Sequence, residues 1–347
     1  MIKFPFYARL ALTLFSIALI LAFMYLGKSL LVPLFFSFLV AILLHPVVLF
    51  LENHRFPRAL AGLLTLLLFM ILVVGLFYFF SHQVVRLSRD LPSLQAKVLG
   101  KWQDIQDWIS DNYHITNMQQ LAYMNKSTTG ILNSAVNSAA TTFIGIAETG
   151  LLTIFFFIFT FFILQYRRLL MRFVIELFHE SHNDTVQGII SRIRLMINNY
   201  VVGLLLEMTI VAILIFTSMM IIGIKYALLI GIMTAVFNII PYIGIYTSMA
   251  IAMLIAAATH PTGHVLAVGV VFLVTHFVDA NVILPHVVGG KMKMNPLITI
   301  LVVFIGHLVW GIPGMFLFIP LTAMIRLISE EVPGMKPWAI LIGEEKE

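Results

Sequence analysis

Long apolar runs alternate with short polar stretches along the whole chain. The apolar segments are residues 7–26, 30–51, 59–81, 149–166, 198–222, 226–258, 264–284 and 295–327. A helix needs about 20 consecutive apolar residues to cross the hydrocarbon core of a membrane, which is roughly 30 Å thick. The pattern therefore predicts an all-α polytopic membrane protein with about eight membrane segments.

Two of these segments are too long for one crossing, and Pro and Gly interrupt both near the middle. The breaks lie at residues 238–244 and 310–314. A straight helix as long as either segment would measure about 50 Å. Backbone groups freed at such a break are tolerated at membrane depth only where they are buried in protein or line an aqueous cavity. We therefore expect two re-entrant helical hairpins, at 226–258 and 295–327, whose tips meet near one cavity in the middle of the bilayer.

The hairpin tips offer binding groups without charged side chains. A helix that begins at a break presents free N–H groups, and one that ends there presents free carbonyl groups. The residues that we expect to line a solute or ion pathway at the tips are Asn238, Pro241, Tyr242, Gly244, Gly311, Pro313 and Gly314. The alternative is a pair of Pro-kinked spans whose freed carbonyls bond to neighbouring helices.

Composition agrees with a membrane protein. Hydrophobic residues make up 61% of the chain and charged residues 11%, a balance that a soluble domain cannot hide. The absence of cysteine excludes thiol catalysis, disulfides and Cys-ligated metals. The net charge of +5 is spread over short loops, so it indicates membrane orientation and gives no reason to expect a nucleic-acid partner.

Basic residues predict the orientation. They precede the first span and follow the second, fourth and seventh spans. All of these groups lie on the cytoplasmic side if both termini are cytoplasmic and both long segments turn back within the membrane. A full crossing at 226–258 would place Lys291 and Lys293 outside, so the charges favour hairpins.

The segments group into five regions. These are N-terminal transmembrane helices (1–81), an extracytoplasmic helical insert (82–148), a fourth span with cytoplasmic interfacial helices (149–197), a transport core with both hairpins (198–328) and a cytoplasmic tail (329–347). Pro92 is expected to end the first helix of the insert. Small residues at 127–148 allow close helix packing, either within one subunit or between subunits.

Ionisable residues within the apolar segments are candidates for ion coupling, because they are costly in a membrane and usually face a cavity or a partner. Asp279 is the only formal charge between residues 226 and 290, and His276 lies three residues earlier on the same helix face. Glu207 lies inside the fifth span. The predicted pathway therefore also includes Glu207, His276, Asp279, Asn281 and Pro285. The alternatives are an interfacial position for Asp279 and contacts with neighbouring helices for His276 and Glu207.

No motif indicates an enzyme. His179 and His182 flank Glu180 at a spacing that does not match the zinc-binding HExxH pattern, and no third ligand lies nearby. The chain has no Gly-rich phosphate-binding loop and no Gly-x-Ser-x-Gly motif. We therefore expect no catalytic residues, no cofactor and no bound metal.

The C-terminal third resembles the AI-2E transporter family, the autoinducer-2 exporter-like proteins. Asn238-x-x-Pro241-x-x-Gly244 resembles the first signature of the family. A second similar stretch runs from 279 to 291, and 295–297 and 311–315 complete the match. The chain departs from the family pattern at Asn295, where many members have His, and at Pro313, where a small or branched residue is commoner.

This resemblance implies a protein of the bacterial cytoplasmic (inner) membrane. It implies eight membrane segments with two re-entrant hairpins, an outward-projecting insert, a homo-pentamer and an elevator-like movement. Members of the family resemble secondary exporters of small polar signals such as autoinducer-2, and some are described as sodium/proton antiporters.

Three functions are compatible with these features. The leading hypothesis is a secondary transporter that exports a small polar solute such as autoinducer-2. The second is a sodium (or lithium)/proton antiporter, for which Glu207, His276 and Asp279 would suffice. The third is a membrane scaffold that binds partners through its insert. The expected partners are the lipid bilayer, the solute, sodium ions or protons, and further copies of the chain.

Overall fold

The computed structural model describes residues 5–113, 150–238, 243–289 and 294–344. These residues are almost entirely helical, and one isolated β-bridge joins Met294 and Gly343. The helices are α1 (Phe6–Leu26), α2 (Lys28–Asn53), α3 (Arg58–Tyr113), α4 (Gly150–Glu176), α5 (Asn183–Ile222), α6 (Ala227–Phe237), α7 (Ile243–Thr259), α8 (Thr262–Val278), α9 (Pro296–Trp310), α10 (Ile312–Glu331) and α11 (Lys336–Ile342).

Seven helices among the described residues are long and apolar enough to cross a membrane. They are Phe6–Leu26, Lys28–Asn53, Arg58–Leu87, Leu152–Glu176, Glu180–Ile222, Thr262–Val287 and Ile312–Glu331. Three apolar helices are shorter: Ala227–Phe237, Gly244–Thr259 and Pro296–Trp310. The prediction of an all-α polytopic membrane fold is confirmed. The shorter helices come from the two interrupted segments, so the predicted breaks do divide those segments into separate helices.

The prediction that Pro92 ends a helix is wrong. Helix α3 contains 56 residues and passes through Pro92 without a break. A proline removes one helical hydrogen bond and crowds the preceding turn, but neighbouring packing can offset that cost. Leu87 and Leu94 lie on either side of Pro92 and are both buried in the same apolar core, which holds the helix together. The small-residue stretch at 127–148 lies outside the described residues.

The basic stretch after the fourth span does not form a separate helix. Helix α4 continues through Arg167 to Glu176, and α5 already begins at Asn183 after a short 3₁₀ turn at Glu180–His182. The arginines of residues 167–194 therefore lie on the ends of two long helices.

The described residues divide into two compact units. The first draws on Met1–Phe69, Gly150–Val202 and Gly290–Glu347, and the second on Met70–Thr149 and Gly203–Gly289. The first interrupted segment therefore belongs to the second unit, and the second interrupted segment to the first.

In the first unit, α2 packs closely against α4. The Ser37 hydroxyl donates to the Phe156 carbonyl at 2.8 Å, which ties the two helices together at one point. Where α2 ends, Arg167 pairs with Glu52 at 2.6 Å, and their side chains are only 18% and 13% exposed. The Arg167–Glu52 pair therefore holds two membrane helices together in a partly dry environment.

Replacement of Arg167 by Met is expected to destabilise the protein by about 2 kcal/mol, because hydrogen bonds to charged groups contribute about that much and Glu52 would keep its buried charge. Thermal unfolding in detergent, run as a double-mutant cycle with Glu52→Gln, measures the coupling. Arg172→Met is the matched control, since the Arg172–Glu176 pair is exposed and exposed pairs contribute little. Equal effects of the two arginine substitutions would contradict the prediction.

Helices α9 and α10 also lie in the first unit and run back along each other. Gly311 joins them with φ 67° and ψ −145°, a conformation that favours glycine. The backbones of Gly306 and Gly314 touch across the turn, and the Trp310 and Phe318 rings meet edge to face at 5.2 Å. The chain thus reverses direction at the second predicted break.

The start of α9 is held by the end of the described chain. The Asn295 side chain accepts from the Leu297 backbone N–H at 2.9 Å and so caps α9. The Asn295 backbone N–H donates to the Ile342 carbonyl at 2.9 Å, next to the bridge between Met294 and Gly343. The hydrogen bond and the bridge therefore connect the start of α9 to the end of α11.

In the second unit, α5 and α6 approach each other at Gly231. A Cβ built on Gly231 would lie 2.7 Å from the Ala212 carbonyl oxygen, so only glycine allows this approach. Helices α7 and α8 pack around the same buried apolar cluster, which includes Ile230, Ile255 and Phe272.

Candidate functional site

Three of the predicted site residues, from three separate elements, meet inside the second unit. The Asn238 amide nitrogen donates to Glu207 Oε1 at 2.7 Å and to Asp279 Oδ2 at 3.0 Å. Glu207 is 3% exposed and Asp279 is 5% exposed. Glu207, Asn238 and Asp279 are called the acid–amide cluster below. Two acidic side chains thus share one neutral amide within apolar helices.

The approach of α5 and α6 places the first two members of the cluster. Gly231 lies against Ala212. Asn238, the residue that directly follows α6, lies two turns further along, and Glu207 lies about one and a half turns back along α5. Because the two helices run in opposite directions, these steps bring Asn238 and Glu207 together. The end of α6 at the predicted break therefore positions the amide.

Asp279 lies where α8 changes its winding. The chain continues beyond α8 as a π-helix over Asp279–Ile283 and again over Pro285–Gly289. Pro285 lacks an N–H group, and its ring would clash with the Asn281 carbonyl in a regular α-helix. The wider turn avoids this clash, and such π segments are frequent at functional sites.

Among the described residues, two polar atoms at this site are buried without a hydrogen-bond partner: Asp279 Oδ1 and His276 Nδ1. The His276 ring meets the Tyr246 ring edge to face at 5.4 Å. Asp279 therefore receives its hydrogen bond from Asn238. The sequence alone indicates His276 as the neighbour of Asp279, because the two residues share a helix face. Neither Glu207 nor Asp279 forms an ion pair with any described residue. In the described part of the chain, the two acids therefore have no basic side chain as a salt-bridge partner.

The other predicted site residues have varied positions. Asn281 is exposed and donates to the Phe277 carbonyl of its own helix at 2.8 Å. A Cβ on Gly244 would overlap the Phe237 carbonyl, so Gly244 allows α7 to begin directly against the end of α6. Pro241 and Tyr242 lie outside the described residues. In the first unit, Gly311 joins α9 to α10, and Pro313 and Gly314 lie in the first turn of α10. The predicted meeting of the two tips stays a prediction.

Sequence reasoning missed a second polar cluster in the second unit. Asp90 accepts a hydrogen bond from Lys225 at 2.5 Å and another from the Tyr226 hydroxyl. These bonds hold the pKa of Asp90 below its usual range. Tyr226 has φ 67°, an uncommon value for a residue other than glycine, at the residue before α6. The only signal in the sequence was that Lys225 lies directly before the first interrupted segment and Tyr226 begins it.

Among the described residues no group of three or more His, Asp or Glu side chains is arranged to hold a metal ion. The acid–amide cluster provides two acids, one amide and a nearby histidine. These groups can bind and release protons and can hydrogen-bond to a polar molecule.

Residues 14–334 match the family model described as AI-2E family transporter. The chain belongs to this family. This AI-2E transporter is similar to YrrI of Bacillus subtilis (strain 168), with 24% identity over 309 residues that cover 87% of this chain and 86% of YrrI. It is also similar to YueF of the same organism, with 28% identity over 84% of this chain and 82% of YueF.

A relative with a named cargo is the AI-2 transport protein TqsA of Escherichia coli (strain K12). The two sequences are 22% identical over 343 residues, which cover 97% of this AI-2E transporter and 96% of TqsA. The family match confirms the resemblance read from the signatures. This family match and the seven long apolar helices of the described residues together identify the chain as a multi-pass membrane transporter.

Proposed function

We propose that the chain is a secondary transporter that exports a small polar solute, with autoinducer-2 as the candidate solute. The acid–amide cluster is the observation that carries this proposal. Burying Glu207 and Asp279 among apolar helices is costly, and polar residues at such positions usually serve transport. The cluster also lies at the end of α6, where the interrupted segment frees backbone groups for a bound solute.

The transport core at 198–328 would carry the solute by an elevator-like movement, with re-entrant hairpins at 226–258 and 295–327. The working form would be a homo-oligomer in the bacterial cytoplasmic membrane with both termini inside the cell. The relative TqsA, named for autoinducer-2, supports the choice of solute. The family resemblance supports the direction and the assembly.

Cation/proton antiport is the second candidate. It is favoured by one specific observation, namely that the two buried acids share a neutral amide and have no basic partner in the described part of the chain. A scaffold is the weakest candidate, because binding partners through an external insert requires neither buried acids nor interrupted helices.

Purified protein in liposomes tests these candidates. Labelled autoinducer-2 is loaded on one side, and its movement is compared with protein-free liposomes, while an internal pH-sensitive dye follows the response to added sodium. We expect protein-dependent movement of autoinducer-2. A dye response to sodium without solute movement would support antiport, and silence in both assays would contradict transport of either substrate.

A further inference from the structure

The contacts within the acid–amide cluster limit the charge that it can carry. Both acid oxygens lie within hydrogen-bond distance of the same Asn238 nitrogen, so they are at most about 6 Å apart. Two negative charges this close, removed from water, oppose each other's ionisation. The amide supplies one N–H to each acid but no positive charge. When no solute is bound, the acid–amide cluster therefore favours one carboxylate and one protonated acid over two carboxylates.

The surrounding helices do not supply the missing positive charge. Helices α6 and α7 contain no charged residue, and the part of α5 in the second unit contains only Glu207. On α8 the titratable side chains are His264, which contacts the His260 ring, and His276. On α3, Asp90 is held by Lys225 and Tyr226.

The remaining charged side chains of α3 also form no contact that would balance the charge of Glu207 or Asp279 in the described residues. Lys101 donates to the His260 carbonyl, and the ion pairs of the described residues link no basic side chain of α3 to either acid. Within the described parts of these helices, His276 is therefore the titratable side chain beside the cluster.

The contacts of Asn238 suit a site that binds protons. Its nitrogen donates to both acids, so the amide stabilises a carboxylate at either position without adding a charge. The Asp279 Oδ1 atom adds a second feature, because among the described residues it is a buried oxygen without a hydrogen-bond partner, and it can accept a proton or a hydrogen bond from a bound molecule.

We propose that Glu207, Asn238 and Asp279 form one site that holds either a shared proton or the polar solute, so that the proton and the solute exchange. This inference rests on the proposed function, since it names the ion that export is coupled to. When a hydroxyl-bearing solute enters, its O–H groups donate to the carboxylates and replace the stabilisation that the proton provided. The acid O–H bond then breaks, its electron pair stays on the carboxylate, and the proton leaves to water. When the solute leaves, one proton returns.

Proton binding can be tested without any solute. Infrared difference spectra of the purified protein, recorded through a pH titration in H₂O and D₂O, detect the C=O stretch of a protonated acid. We expect this band in the unmodified protein at neutral pH, and we expect Glu207→Gln and Asp279→Asn each to abolish it. Asp90→Asn is the matched control, because Asp90 is a partly exposed acid of the same unit that pairs with Lys225, and it should leave the band unchanged. Absence of the band from the unmodified protein would overturn the proposal, whether or not the variants fold.

Exchange is tested with autoinducer-2 in weakly buffered detergent solution containing a pH indicator. Saturating solute should release about one proton per chain. At pH values below the midpoint of the infrared titration, each increase of one pH unit should raise the affinity for the solute about tenfold. Binding without proton release would overturn the exchange. If the infrared band is present but autoinducer-2 neither binds nor moves in liposomes, then the proposed solute fails while the proton site stands.

Discussion

Replacement of Asn238 by Leu should reduce transport at least tenfold and destabilise the protein at neutral pH by about 1–3 kcal/mol. Leu has a similar volume but no N–H group, so Glu207 and Asp279 would lose the donor that they share. A buried acceptor left without a donor costs about this much. The loss of stability should shrink as the pH falls, because protonated acids need the donor less.

Thermal unfolding in detergent at several pH values and solute movement in liposomes measure these effects. Asn281→Leu is the control, because Asn281 is exposed and bonds only within its own helix. It should change stability little and in a manner independent of pH. A stability loss for Asn238→Leu that is the same at every pH would contradict the charge argument, even if transport were reduced.

Adding a methyl group at Gly306 or Gly314 should force α9 and α10 apart. A Cβ on either glycine would overlap the backbone carbonyl of the other, and that carbonyl cannot move without displacing its helix. Overpacking of this kind costs about 1–3 kcal/mol. We therefore expect Gly306→Ala and Gly314→Ala each to lower the unfolding temperature clearly and to reduce transport.

Gly263→Ala provides the control for the hairpin. Gly263 lies in α8, and a Cβ built there meets no atom within 4 Å. Since alanine favours helices over glycine by about 1 kcal/mol, this variant should be neutral or slightly more stable. Comparable losses at Gly263 and Gly314 would show that the close approach of α9 and α10 is unimportant.

Local features of the chain made the membrane helices predictable. The length of an apolar run decides whether a helix can cross, and the Pro and Gly residues at 310–314 indicated where α9 ends. Pro92 was misjudged because the local rule for proline omits the packing of Leu87 and Leu94, which belongs to the tertiary structure.

The candidate site shows the same limit. Glu207, Asn238 and Asp279 could all be selected from the sequence, because each is polar within or beside an apolar segment. Their association could not be predicted, since Asn238 is 31 residues from Glu207 and 41 from Asp279. The pairing of Asp279 with His276 was inferred because neighbours one helical turn apart are readable from sequence. The approach of α5 to α6 at Gly231, which brings Asn238 to Glu207, is not readable from sequence.

The backbone bond from Asn295 to Ile342 affects how this protein can be engineered. A truncation that removes residues 336–344 would remove the Ile342 carbonyl, which accepts the Asn295 N–H at the start of α9, together with the buried Ile342 side chain. Affinity tags and fluorescent fusions should therefore be attached beyond residue 344 through a flexible linker. This placement leaves the bridge between Met294 and Gly343 intact. A reporter dye attached near Gly343 would respond to any displacement of the first turn of α9, because the backbone bond and the bridge join these two parts of the chain.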